Sequence, residues 1–99
     1  MESENKMSVR LENREDELWL IYTVDDDEVV SENKVLRMWE SASGWLWYQV
    51  EQEDEYGICF GYVQGFYDEW GSFAINELDE IPTVWEIKGE AMLWSGRRN

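Results

Sequence analysis

Four consecutive carboxylates, Asp25-Asp26-Asp27-Glu28, are the densest set of potential metal ligands in the chain, and calcium is the ion that oxygen donors of this kind suit. An EF-hand, however, spaces its ligands at alternate positions around a central glycine and closes with a distant glutamate, none of which is present. The run therefore reads as a solvated acidic loop. The neighbouring carboxylates at Asp68-Glu69 and Asp79-Glu80 have the composition of a general acid/base pair, the equipment of glycoside hydrolysis. With 23 Asp and Glu in 99 residues, though, adjacency carries almost no information. Histidine is absent and Cys59 is the single cysteine, which removes the commonest general base and metal ligand, disulfide frameworks and thiolate zinc clusters. Cys59 lies beside Phe60 in an apolar run with no cation near it in sequence, the setting of a small buried hydrophobe rather than a reactive thiolate. Gly57-Ile58-Cys59-Phe60-Gly61 lacks the lysine and the following helix that cradle a phosphate, and there is no dinucleotide fingerprint or serine nucleophile elbow. The inventory points to a protein that is not an enzyme and uses neither cofactor nor metal.

What the residues offer instead is charge. Eight Lys and Arg against 23 acids give a net charge of −15, and residues 38–87 contain no Lys or Arg against 11 acids. A single domain of this length has a radius of gyration near 13 Å and a diameter of roughly 35 Å, and DNA of that length carries about 20 phosphate charges. The two charge counts are comparable, so the basic cleft of a nucleic-acid enzyme attracts both for the same Coulombic reason, with a steep salt dependence. Direct nucleic-acid binding is disfavoured: aromatic platforms need a basic groove, and only Arg97-Arg98 form a basic pair. The bland counterpart is ordinary solubility by self-repulsion. The residues expected to meet a basic partner are Glu51, Glu53, Asp54, Glu55, Asp68, Glu69, Trp70, Asp79 and Glu80. Most of the seven Trp and five Tyr are expected in the core and in cross-strand pairs. Seven Trp exceed what a small core encloses, which makes Trp70, Trp85 or Trp94 candidates for interface anchors.

These side chains need a scaffold. The chain is 43% apolar with three Phe besides its Trp and Tyr, more than a disordered polymer carries, and its length fits one domain over residues 1–99. Residues 1–8 and 95–99 read as flexible tails. Residues 11–24 satisfy two periods at once. Leu11, Leu18, Ile21 and Tyr22 share a helical face, while Leu18, Leu20, Tyr22 and Val24 alternate as in a strand. The early carboxylates Glu12, Glu15, Asp16 and Glu17 favour the helix, with the acidic run at 25–28 ending it. Residues 35–39 and 45–51 should pair as a hairpin across Ser41-Ala42-Ser43-Gly44. Residues 56–63 follow as a second hairpin partner, with Ile58, Phe60 and Tyr62 on one face and Cys59, Gly61 and Val63 on the other. Gly57 and Gly61 suggest a bulge, or a ring of Trp45 or Trp47 lying across the backbone. Gln64-Gly65 and Glu69-Trp70-Gly71 punctuate the next stretch, Ser72-Phe73-Ala74 resumes an extended path, and residues 75–81 make one or two helical turns stopped by Pro82. Residues 83–87 and 91–94 read as a last strand pair joined near Lys88-Gly89-Glu90. The sum is α+β: a twisted antiparallel sheet of four to six strands with one or two short helices.

The order Leu36-Arg37-Met38-Trp39, Ser43-Gly44-Trp45-Leu46-Trp47-Tyr48, Phe60-Gly61-Tyr62-Val63-Gln64-Gly65-Phe66 and Gly71-Ser72-Phe73-Ala74-Ile75-Asn76-Glu77-Leu78 resembles a family of small acidic proteins of unknown function encoded on bacterial plasmids, conjugative elements and phages. The resemblance spans about three-quarters of the chain, from residue 21 to residue 94. It departs at Ser41-Ala42, where that family often has Pro-Asp, and at Ala74, where it has Ser. It implies a mobile-element setting and transfers no catalytic residue. Charge and resemblance together suggest an inhibitor that blocks a host nucleic-acid-handling defence complex, of anti-CRISPR or anti-restriction type. An immunity protein neutralising a basic nuclease toxin would have the same charge, and a neighbouring toxin gene would separate the two. A small-ligand-binding or enzymatic domain would require a pocket with a carboxylate of raised pKa. No apolar run approaches the roughly 20 residues of a membrane span, and the acidic N-terminus does not resemble an export signal. Sequence alone thus suggests a soluble protein of the cytoplasm, the host's if the gene is carried by a phage.

Overall fold

The computed structural model describes residues 7–13 and 19–88. In chain order these form β1 (Met7–Asn13), β2 (Trp19–Asp25), β3 (Glu28–Lys34), β4 (Arg37–Ser41), β5 (Leu46–Gln49), β6 (Ile58–Gln64), β7 (Asp68–Ala74), α1 (Ile75–Glu80) and β8 (Val84–Ile87). The class is α+β, with every strand pair antiparallel. One sheet has the order β1-β2-β3 and the other β7-β6-β5-β4-β8.

Where the sequence favours a helix over residues 11–24, the described residues belong to the strands β1 and β2. Residues Trp19 to Tyr22 are all buried: Trp19 and Ile21 point into the main core, while Leu20, Tyr22 and Val24 form a separate cluster. A strand that buries both faces has apolar residues in succession, and short windows of such a run also match a helical stripe. The acidic run does not terminate a helix but turns a hairpin. Asp26 and Asp27 adopt φ of 52° and 73°, the left-handed pair that a two-residue β-turn needs and that Asp tolerates better than most residues. Across β1 and β2 the Tyr22 hydroxyl donates to Glu12 Oε1 at 2.9 Å, and the Arg10 guanidinium lies 5.2 Å from the Tyr22 ring centre.

The hairpins β4–β5 and β5–β6 follow the expected pairing, with Trp39 opposite Trp47 and Tyr48 opposite Tyr62. In the first turn Ser41 Oγ accepts from the Trp45 amide at 3.0 Å, and Gly44 takes φ of +94°. β7 starts earlier than expected: Glu69-Trp70-Gly71 lies inside the strand, and the turn is Gly65-Phe66-Tyr67. The helix after Ala74 forms as expected. Its N-terminus has no side-chain cap, and the Ile75 amide donates instead to the Gly57 carbonyl at 2.9 Å. The last strand, β8, pairs with β4, Met38 facing Ile87; the expected partner segment at residues 91–94 and most of both tails lie outside the described residues.

Register divides the five-stranded sheet into two faces. Met38, Leu46, Tyr48, Tyr62 and Ile87 pack against Leu11, Trp19, Ile21 and Val35 of the first sheet and its connection. On the opposite face Trp39 and Cys59 meet Ile75 and Leu78 of α1, flanked by Trp47, Phe73 and Val84. Each fully buried apolar side chain of this kind contributes about 1.5–3 kcal/mol. Tyr48 reaches a buried partner, its hydroxyl donating to Gln64 Oε1 at 2.7 Å, so the core carries this polar pair without an unmet donor. The molecule is longer than the sphere that its length suggests, with a principal extent of 45 Å and a radius of gyration of 14.0 Å. Among the described residues no helix is long and apolar enough to cross a membrane.

Candidate functional site

The connection between β5 and β6 carries four of the nine residues expected to meet a partner, and α1 carries two more. The backbone bond from Ile75 to Gly57 holds the two segments together. Within the connection Asp54 works as a turn residue: its Oδ1 accepts from the amides of Tyr56 and Ile58, each at 2.9 Å, and its own amide donates to the Ile58 carbonyl. Gly57 closes the turn with φ of +81°. Glu53 Oε1 accepts from Gln49 Nε2 at 2.7 Å. That bond, with the backbone and the nearby Arg37 charge, holds its carboxyl below the usual range. Glu51, Glu55 and Tyr56 are exposed, Tyr56 at 71%.

α1 lays Ile75 and Leu78 on the sheet and turns Glu77, Asp79 and Glu80 outward. Asp79 Oδ1 accepts from the buried Trp39 indole at 3.2 Å, so this carboxylate also anchors the helix. Under it lies the one cation of the central strands. Arg37 donates through Nε and Nη2 to both oxygens of Glu86, each at 2.9 Å, stands 3.9 Å from Glu53, and sits 5.0 Å from the Trp39 ring centre. The bidentate bond to Glu86 raises the guanidinium pKa, with the Glu86, Glu53 and Asp79 charges adding to it and burial opposing; the same bond holds the Glu86 carboxyl low. Lys88 also stands 3.9 Å from Glu86.

Replacing Arg37 by alanine is expected to cost about 1–2 kcal/mol near pH 7, because it removes a bidentate bond and a ring contact and leaves three carboxylates together. Solvent at the partly exposed guanidinium keeps the figure below that of a buried pair. Glu86 and Glu53 ionise more readily in the folded state, so their contribution is complete above the unfolded value, near 4.3, and is lost as pH falls through the lowered folded values. Urea denaturation at pH 7 and at pH 3 should therefore show the gap between native chain and variant narrowing in acid.

Asp68, Glu69 and Trp70 do not join the loop and α1. They start β7 at the opposite end of the sheet, Asp68 facing Gln64 and Glu69 facing Val63. Trp70 is half-buried, stacked on Phe60 with ring centres 5.7 Å apart and planes 5° from parallel, and 5.0 Å from Tyr62. The exposed rings at this end are Phe66 and Tyr67, 86% and 78% exposed, which the sequence reading missed. Phe66 packs edge-on against Trp45 at 5.3 Å, and Trp45 covers Gly65, where a Cβ would strike its ring. Gly65-Phe66-Tyr67-Asp68 was the available signal: a glycine followed by two rings between alternating runs is a turn that presents aromatics. Trp85 is half exposed on the β8 edge, and Trp94 lies outside the described residues.

Cys59 is buried, and burial pushes its thiol up to about 11, which leaves little thiolate at neutral pH. The arrangement can attract, orient and grip a cationic surface; the carboxylates with displaced ionisation, Glu53 and Glu86, are both driven toward the charged form. No family model, no curated protein and no solved structure matches this chain.

Proposed function

We propose that this protein is a non-enzymatic inhibitor from a mobile element that binds a host nucleic-acid-handling defence complex, of CRISPR or restriction type, with carboxylates standing where DNA phosphates would lie. The observation that carries this reading is the acidic surface made by the β5–β6 connection and α1. It presents Glu51, Glu55, Glu77 and Glu80 to solvent, while the neighbouring cation, Arg37, is engaged by Glu86 and Glu53. Over the 45 Å length of the molecule duplex DNA carries about 26 phosphate charges, against a net charge of −15 for the chain. Tyr56 in the acidic loop supplies the kind of ring that gives an interface short-range grip once charge has brought the partners together.

The test is to titrate the purified protein into restriction and CRISPR effector complexes over a range of salt concentrations. Association is expected with at least one basic complex, with log K falling linearly in log salt as counterions are released. If no complex binds at low salt, or binding is indifferent to salt, the reading is wrong.

A further inference from the structure

The facing surfaces of the two sheets run on past the core that joins them, and a groove of about 390 Å³ opens there, lined by Thr23, Ser31, Asn33, Phe60 and Trp70. Register sets these side chains on two walls. In β2 Thr23 continues the row of Trp19 and Ile21, which point into the main core, and in β3 Asn33 opposes Ile21 while Ser31 opposes Thr23. In β6 Phe60 continues the row of the buried Tyr62, and Trp70 of β7 opposes Tyr62. One wall is therefore polar and the other aromatic.

Both walls have free binding capacity. Phe60 and Trp70 lie with planes 5° from parallel and centres 5.7 Å apart, so the rings pack on each other and a ligand meets their open side, where Phe60 is 37% exposed. On the polar wall the hydroxyls of Thr23 and Ser31 and the amide of Asn33 enter no side-chain hydrogen bond within the described residues. Two hydroxyls and a primary amide can each donate and accept. None of the five lining residues is charged, in a chain with 23 acids. Their charged neighbours in sequence, Glu32, Lys34 and Glu69, oppose Tyr22, Leu20 and Val63 and so belong to the other faces of the sheets.

The matching ligand has an apolar face for the rings, groups that both donate and accept for the opposite wall, and no charge. A neutral sugar has this chemistry: its ring C–H groups pack on an aromatic surface while its rim of hydroxyls takes the hydrogen bonds. An anion would meet the repulsion of a chain at −15, and a cation would find no carboxylate among the described lining residues. A wholly apolar ligand would strip water from the hydroxyls and amide without replacing its bonds. The volume lies near the lower end of the about 300–1,000 Å³ of small-ligand sites. We propose that this groove binds a neutral mono- or disaccharide unit. Without a carboxylate in the lining it holds the sugar and does not hydrolyse it. The groove opens on the face of the five-stranded sheet turned away from α1, so the proposal goes beyond the functional reading and does not depend on it.

The test is saturation-transfer NMR from the protein to cellobiose, maltose, lactose and N,N′-diacetylchitobiose, with glucuronate and adenosine as comparators. At least one neutral disaccharide should bind, with transfer concentrated on the C–H protons of one ring face and an affinity that is the same at low and high salt, unlike binding to a basic partner. Phe60→Leu, which keeps an apolar side chain, and Asn33→Ala, on an edge strand, should each weaken binding about tenfold while melting as cooperatively as the native chain. Tyr67→Ala, which removes an exposed ring of the β6–β7 turn, should leave binding unchanged. Absence of binding by all the disaccharides, equal affinity in the native, Phe60→Leu and Asn33→Ala chains, an equal loss in Tyr67→Ala, or tighter binding of glucuronate or adenosine than of any disaccharide would overturn the proposal.

Discussion

Exchanging Glu51, Glu55, Glu77 and Glu80 for lysine is expected to weaken binding to a basic nucleic-acid-handling complex on the order of 100- to 1,000-fold at low salt and to flatten the salt dependence. Each exchange shifts the charge by two, so the net charge of −15 falls to about half. These four residues are exposed, and no hydrogen bond or ion pair within the described residues ties their side chains to the fold. The choice matters because the neighbouring acids are not equivalent. Asp54 holds the Tyr56 and Ile58 amides, Glu53 is held by Gln49, and Asp79 receives the Trp39 indole. Reversing those three would disturb the loop and the helix as well as the field, and lost binding would not tell charge from structure. Lysine at position 80 complements the partial negative charge of the last turn of α1, which lacks a cation, while lysine at position 77 replaces the acid of its first turn; the two effects oppose each other, so melting of the four-lysine variant should stay within a few degrees of the native chain. Calorimetric titration at two salt concentrations, alongside thermal melting, reads both effects.

The largest effect on stability is expected at Gly61. A Cβ at this position would strike the Tyr48 carbonyl of the adjacent strand and stand 3.0 Å from the Phe73 ring. Backbone of a central pair cannot withdraw without breaking the β5–β6 ladder, so Gly61→Ala should cost more than about 3 kcal/mol, at the upper end of what single substitutions do. Gly65→Ala meets the ring of Trp45 instead. A half-buried side chain can swing aside, and a loss of about 1–2 kcal/mol is expected there. Denaturant midpoints for the two variants should rank in that order. Gly61 also bears on the proposed interface, because the β5–β6 register places the acidic connection against α1 and a slipped register would scatter carboxylates that are now neighbours.

Sequence made the local features readable and left the distant ones hidden. The hairpins around Ser41-Ala42-Ser43-Gly44 and residues 51–57 were legible because strand alternation and turn residues act over a few positions. The helix before Pro82 was legible for the same reason. Rings against glycine were foreseen, with Gly61 and Trp45 among them, but not in the right pairs: Trp45 covers Gly65, Phe73 and the Tyr48 carbonyl crowd Gly61, and Gly57 meets Asn76 rather than a ring. Residues 11–24 misled because a strand buried on both faces lacks the alternation that identifies it. The β4–β8 pairing joins residues 43 to 49 positions apart and the Arg37–Glu86 bond residues 49 apart, and no local pattern reports such a contact. The acids of the candidate surface were visible as composition. Their division into exposed charges, turn-forming Asp54 and helix-anchoring Asp79 was not, because it depends on which backbone amides and indole each carboxylate meets after folding.

Displacement of fluorescent duplex DNA from a defence complex by this protein, followed across salt concentrations, separates occupancy of the DNA groove from binding elsewhere. If the carboxylates of the β5–β6 connection and α1 occupy the groove that holds DNA, the protein will release the duplex competitively, and the four-lysine variant will fail to do so. Simultaneous binding of protein and DNA to the same complex, or equal displacement by the native and four-lysine chains, would contradict the account.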